Sequence, residues 1–222
     1  MTFTTIHLMR HGEVNNPEGV LYGRLPGFGL TPLGMEMAVA TARYLVDEGA
    51  DITHVVASPL LRAQETATPT ALAYGLEVQA DPRLVEAGSQ FEGLQINKNR
   101  WALAHPRNWK LYVRPHEPSW GEPYKVIAKR MSAAISAALH EARGHEALLV
   151  SHQLPVVTIQ RSLEGKPLSH NPLYRQCSLA SLSSLLFEGD DLVAWNYSEP
   201  AAHLLAQAQD MTPGSSEAAV LR

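Results

Sequence analysis

Short apolar runs of strand length alternate along this chain with stretches whose apolar residues recur every three or four positions. Phe3 to Met9 reads as a first strand that runs into the polar segment Arg10-His11-Gly12-Glu13. A Gly- and Pro-rich loop follows through Gly29. Thr31-Pro32 then has the cap-then-proline order of a helix start, and Leu33, Met37, Ala40 and Tyr44 repeat at helical spacing. His54 to Ala57 reads as a short buried strand, after which Ser58-Pro59 predicts another helix by the same logic. Leu76 to Gln79 predicts a third strand. From Pro123 onward Ile127, Met131, Ile135 and Leu139 recur every fourth residue, a stripe that faces a core. Ala147 to Val150 is a compact apolar strand with Ser151-His152 at its end. Leu179 to Phe187 and Leu192 to Tyr197 flank a Gly189-Asp190-Asp191 turn and predict a closing hairpin.

Strands alternating with helices predict an α/β fold, a three-layer α/β/α sandwich around a mostly parallel central sheet. Residues 1–200 are read as a single domain. Within it, about 88–118 mixes aromatic, basic and Pro residues and stands apart as a lid or insertion. Residues 201–222, rich in Ala, Gln and Ser, are read as a weakly ordered tail. No internal repeat is visible.

Composition narrows the classes. With 222 residues, 45% hydrophobic and 18% charged, the chain can bury one substantial core. A formal net charge of -4 gives no basic excess for general nucleic-acid binding, so any attraction for an anion must come from a local cluster of cations. The single cysteine, Cys177, excludes an internal disulfide framework and a thiolate-rich metal site. The start Met1-Thr2-Phe3-Thr4-Thr5-Ile6 lacks the basic and apolar parts of a signal peptide, and no stretch approaches the roughly 18 apolar residues of a membrane span. The expectation is a soluble, cytoplasmic protein without cofactor or metal; a homodimer is left open.

In open α/β sheets the ligand crevice lies at the carboxyl ends of the strands. Three polar clusters fall there: Arg10-His11-Gly12, Ser58 to Arg62, and Ser151-His152. Together they offer two guanidinium groups and two imidazoles to one pocket, the outline of a metal-free phosphate site. A phosphoryl group in transfer spreads its charge over three equatorial oxygens, so positioning and charge stabilisation matter most. Arg10 and Arg62 are permanent cations whose flat forks match phosphate oxygens. A histidine beside them is biased toward the neutral form, whose lone pair is a nucleophile. His152 can donate to a transferring oxygen. Glu86 is the best candidate to protonate a leaving alkoxide.

Leu8-Met9-Arg10-His11-Gly12-Glu13 resembles the motif of the histidine phosphatase (phosphoglycerate mutase-like) superfamily. Leu30-Thr31-Pro32-Leu33-Gly34, then Ala57-Ser58-Pro59-Leu60-Leu61-Arg62-Ala63-Gln64-Glu65-Thr66-Ala67, then Val150-Ser151-His152 resemble that family in the same order. The resemblance implies a phosphoglycerate mutase-like fold, His11 as the phosphorylated nucleophile, and a phosphate pocket of Arg10, Arg62 and His152 with Glu86 as acid/base. It also implies a phosphate contact at Asn16 and a substrate contact at Gly23. The chain departs from the pattern at Gln153-Leu154-Pro155, where such phosphatases carry glycines; Gln153 is therefore a candidate to read the substrate. No adjacent arginine pair occurs, as mutases carry in the lid, although Arg107, Lys110 and Arg114 lie there.

Each residue also has a plainer reading. Arg62 alone would by default pair with Glu65 or Glu36 on its helix. An isolated His152 is more often a hydrogen-bonded core residue, and Glu86 a solvated loop carboxylate. The ordered set favours chemistry. The expected function is metal-independent hydrolysis of a small phosphorylated metabolite through phosphohistidine. The rivals are a phosphoglycerate mutase and a catalytically silent phospho-ligand binding protein.

Overall fold

The computed structural model describes residues 2–95, 120–211 and 218–220. Strand β1 (Phe3–Arg10) lies near the middle of a six-stranded sheet. Helix α1 (Pro32–Asp47), strand β2 (Ile52–Ala57), helix α2 (Leu61–Tyr74) and strand β3 (Val78–Ala80) follow. After a 3-10 turn at Pro82–Leu84 come α3 (Tyr124–Glu141), β4 (Glu146–Ser151) and α4 (Gln153–Leu163). A second 3-10 turn, Pro172–Tyr174, precedes the hairpin of β5 (Leu182–Glu188) and β6 (Asp191–Ser198). The chain then forms α5 (Ala202–Leu205) and the short pair β7 (Gln209–Asp210) and β8 (Ala219–Val220).

The sheet order is β3-β2-β4-β1-β5-β6. Strands β3, β2, β4 and β1 are parallel, and the β5–β6 hairpin closes one edge antiparallel. Alternation along each strand feeds two cores. Ile6 and Leu8 of β1 and Ala147 and Leu149 of β4 pack with the α3 stripe Ile127, Met131 and Ile135 on one face. Met9, Leu148 and Val150 pack with Met37 and Leu45 of α1 and Ala63 and Ala67 of α2 on the other. Buried on both faces, β4 carries the continuous apolar run Ala147 to Val150, as central parallel strands do. Helices on both faces make three layers. Among the described residues no helix is long and apolar enough to cross a membrane.

The predicted cap at Thr31 is present, its side chain accepting from the Gly34 N–H. Ser58 does not cap α2, which starts at Leu61 without a side-chain cap. Its hydroxyl turns instead to His152, because the strand β2 ends there beside the end of β4. The tail expected to be weakly ordered from 201 is packed as far as 211. Ala201, Leu205 and Ala208 are buried in the α1–α2 core, and Asp210 pairs with buried Arg10. Most of the predicted lid lies outside the described residues. Its two ends are tied together by Gln90 N–H to Trp120 O at 2.8 Å and Glu122 N–H to Gly88 O at 3.0 Å.

Candidate active site

The ends of β1, β2 and β4 bring the three predicted clusters together. His11 follows β1 directly. Its N–H donates to Ser151 O, and its carbonyl accepts from Ala180 N–H, so the turn is pinned on both sides. The ring Nδ1 lies 2.8 Å from Gly12 O. A carbonyl can only accept, so Nδ1 carries the proton and Nε2 keeps the lone pair. Gly12 N–H donates to Thr66 Oγ1, which in turn donates to Arg62 O, so the His11 turn is bonded to the first turns of α2.

His152 stands at the N-cap position of α4, its ring centroid 5.1 Å from that of His11. Nε2 lies 2.8 Å from Ser58 Oγ, while Nδ1 is buried with no hydrogen-bond partner. Arg62 donates to Gly23 O at 2.7 Å and stacks on Tyr22, its guanidinium carbon 4.6 Å from the ring centre. The plainer pairing of Arg62 with Glu65 does not occur, since Glu65 accepts from Leu30 N–H. Arg10 donates to Cys177 O and to Asp210 Oδ1, each at 2.7 Å.

A cavity of about 240 Å³ opens over this cluster. Arg10, His11, Tyr22, Gly23, Glu86 and Gln153 line it, with Arg175 among its other walls. Arg62 and His152 are buried behind it, against the lining residues Tyr22 and His11. Gly23 takes φ +38°, and a Cβ there would meet the Glu92 side chain, so the tight turn that presents its carbonyl to Arg62 requires glycine. Asn16 lies at the wall of a neighbouring cavity. Its Nδ2 donates to Val20 O at 2.9 Å and its Oδ1 accepts from Val20 N–H, closing its own loop. Each of these bonds uses one of the amide's two N–H groups and one of its two oxygen lone pairs.

Electrostatics follow from burial and neighbours. Burial, then Arg62 and Arg10, hold the His11 imidazole well below its usual pKa. His152 is lowered in the same way, by burial first and then Arg62 and His11. Both rings are therefore neutral near pH 7. Glu86 is raised by burial, which outweighs the Ala87 N–H bond and the pull of Arg62, Arg175 and Arg10. Burial lowers Arg62. For Arg10 burial acts in the same direction, but the charge and hydrogen bond of Asp210 outweigh it and raise it.

The loop carrying Glu86 is braced. Arg24 Nε donates to Glu86 O at 2.6 Å, and Arg24 also pairs with Glu122. Glu122 accepts from Arg130, whose NH1 donates to Arg83 O at 2.6 Å.

Residues 6–198 match the family model described as Histidine phosphatase superfamily (branch 1). This chain belongs to the histidine phosphatase superfamily. An uncharacterized protein of Mycobacterium tuberculosis is 50% identical over 199 residues, covering 90% of this chain and 98% of that one. A Yersinia enterocolitica protein named "Probable phosphoglycerate mutase GpmB" is 31% identical over 79% of this chain and 82% of its own length. Among solved structures, the mycobacterial glucosyl-3-phosphoglycerate phosphatase has a TM-score of 0.70 at 24% identity, covering 89% of this chain and 98% of that one. The alpha-ribazole phosphatase of Shigella flexneri has a TM-score of 0.68 at 24% identity, covering 85% and 93%. The two structural likenesses establish the shared fold. Phosphatases and a probable mutase stand among these similar proteins, and the family membership supports a phosphoryl-transfer enzyme.

Three further residues around this cluster escaped the sequence. Arg175 lines the cavity, bonded to Gln153 Oε1 at 3.2 Å and to His170 Nε2 at 2.9 Å. It lies in a loop with no periodicity, and only the unusual Gln153 beside it hinted at a special wall. Tyr22 carries Arg62 on its ring, a contact that no spacing in the sequence reports. Asp210 sits in a segment whose composition signals nothing.

Proposed function

We propose that this enzyme hydrolyses small phosphate monoesters by way of a phosphohistidine at His11. The observation that carries the reading is the state of the His11 ring. Its proton is committed to Gly12 O, its Nε2 is left as a lone pair, and burial beside two arginines opposes protonation. Few side chains are so prepared to attack an electrophilic phosphorus.

In the first step His11 Nε2 attacks the phosphorus and the ester P–O bond breaks. Arg10 and Arg62 offset charge on the equatorial oxygens. With Ser58 O–H taken as the donor to His152 Nε2, the ring proton sits on Nδ1, the nitrogen without a protein partner, and is offered to another of those oxygens. Glu86, kept protonated to higher pH by burial, gives its proton to the departing alkoxide. In the second step Glu86 takes a proton from water, the resulting hydroxide attacks the phosphohistidine, and inorganic phosphate leaves. His11 and Glu86 return to their starting states. This sequence needs only the chain's own residues, so turnover is expected to persist in chelator.

The test is a panel of phosphorylated metabolites assayed in chelator, with and without vanadate. Vanadate adopts the trigonal-bipyramidal shape of the transition state and is expected to inhibit far below the substrate KM. His11→Ala is expected to lower kcat/KM by roughly 10⁴-fold or more, the scale of losing a covalent nucleophile. Full activity in that variant refutes the reading. The phosphoglycerate mutase named among the relatives gives a second reading, which isomerisation of 3-phosphoglycerate without phosphate release would favour. Vanadate binding with no turnover of any ester would favour a silent binding protein.

A further inference from the structure

The match to the family model ends at residue 198, yet the chain returns to the site beyond it. After α5, Ala208 enters the α1–α2 core and the backbone of Gln209 donates to Glu13 Oε1 at 2.7 Å, next to the His11 turn. Glu13 in turn accepts from the Thr31 hydroxyl that caps α1. Gln209 and Asp210 pair with Ala219 and Val220 as a small parallel ladder. The Asp210 carboxylate then meets Arg10 at 2.7 Å, with both side chains almost wholly buried. Met211 reaches the wall of the catalytic cavity.

The side from which Asp210 approaches matters. Arg10 lines the cavity that holds His11 and Glu86, and Asp210 does not. Asp210 lines the neighbouring cavity with Glu13, Asn16 and Thr31. The two cavities adjoin, sharing Tyr22 and Met211 in their walls, and Arg10 and Asp210 meet between them. Cys177 O fixes a second terminal nitrogen at 2.7 Å. A guanidinium is planar and rigid, so two such anchors define both its plane and the edge it turns to the cavity.

We propose that Asp210 is a positioning residue for phosphoryl transfer, making the segment beyond the family core a working part of the phosphate site. It acts through Arg10 and touches no substrate. The inference rests on the phosphate-site reading given above. An arginine held in one orientation stabilises a transition state better than it binds a ground-state anion, because the developing charge demands the stricter geometry. Losing Asp210 should therefore weaken vanadate binding more than inorganic phosphate binding.

The experiment uses the full-length chain with Asp210→Asn and Asp210→Glu. Vanadate and inorganic phosphate are titrated by calorimetry, alongside thermal melting and ester turnover. The Asn variant is expected to bind vanadate about 10- to 100-fold more weakly, somewhat less than the roughly 10²–10³-fold of removing a transition-state donor outright, with phosphate binding changed by only about threefold. Glu keeps the charge and the ion pair but moves the head group by one methylene, so it supplies the answer if Asn fails to fold. A position-setting role predicts weakened vanadate binding in the Glu variant as well. Wild-type vanadate affinity in a folded Glu variant means the residue merely balances charge, and overturns the proposal. Equal loss of vanadate and phosphate binding, or a lowered melting temperature with unaltered affinities in the folded protein, does so too. Wild-type protein that binds vanadate without hydrolysing any ester removes the hydrolytic reading and leaves the Asp210 comparison standing. Wild-type protein that binds neither anion removes both.

Discussion

Gly34→Ala tests whether the His11 turn and the start of α1 are packed main chain against main chain. A Cβ added at Gly34 would lie 2.1 Å from Glu13 O and 2.9 Å from Glu13 N. The contact is reciprocal, because a Cβ on Gly12 would lie 2.5 Å from Gly34 O. Every one of these neighbours is a backbone atom, so no side chain can swing away. Ordinary contact begins at 3.4 Å, and reaching it requires a separation of about 1.3 Å, an overpacking strain of roughly 1–3 kcal/mol. At about 2–4 °C per kcal/mol for a chain of this size, Tm should fall by roughly 2–12 °C. The displacement is transmitted to Glu13 and Gly12, and hence to the His11 ring bonded to Gly12 O. A misplacement of about 1 Å at a reacting group costs on the order of 10²-fold in rate. Melting by scanning calorimetry and kcat/KM with a good phosphomonoester substrate read the two effects. A variant with wild-type Tm and kcat/KM would refute the backbone-packing argument and the physical reason offered here for Gly12 and Gly34.

Other perturbations probe separate parts of the site. Ser58→Ala removes the partner of His152 Nε2; leaving that buried nitrogen unsatisfied should cost about 1–3 kcal/mol in denaturant unfolding and lower kcat more than it raises KM. Unchanged kcat would show that Ser58 does not set the His152 tautomer. Glu86 acts as an acid in its protonated form, and its pKa is raised by burial, so kcat should fall as pH rises through that raised value. Glu86→Gln should abolish this limb of the pH profile and lower kcat by about 10²–10⁴-fold; a limb that persists assigns it to another group. The same shift has a stability consequence of the same sense. Between the unfolded and folded pKa values the native state holds the extra proton, so wild-type stability should decline with rising pH, and Glu86→Gln should remove that decline in denaturant titrations. Glu122→Gln should loosen the brace from Arg24 and Arg130 onto the Glu86 loop, moving the same limb of the pH profile, whereas an unshifted limb would make the brace purely structural.

What could be read from the sequence follows from what local patterns encode. Strand β1 and the α3 stripe were legible because burial imposes a period on them. Arg10, His11, Arg62 and His152 were legible because each follows an apolar strand, and strand ends in such sheets converge. The partnerships among them were not. Ser58 reads as a helix cap, since hydroxyl-before-proline suits one, but the neighbouring end of β4 brings His152 within reach of its hydroxyl. Asn16 bonds the Val20 backbone a few residues on, a contact decided by loop conformation that no spacing in the sequence reports. Asp210 meets Arg10 across 200 residues of chain. No periodicity reports such a contact, and the Ala- and Gln-rich segment around it resembles a solvated tail. Arg175 is likewise placed by a loop, with Gln153 and His170 as its guides.

The most direct test of the central claim is to mix enzyme with an excess of labelled phosphate monoester, quench within one turnover in strong base, and locate the label. The account predicts a base-stable, acid-labile phosphoenzyme approaching one phosphate per chain, mapped to the peptide containing His11 and absent from His11→Ala. Rapid hydrolysis with no such species, or label recovered on any other residue, contradicts it.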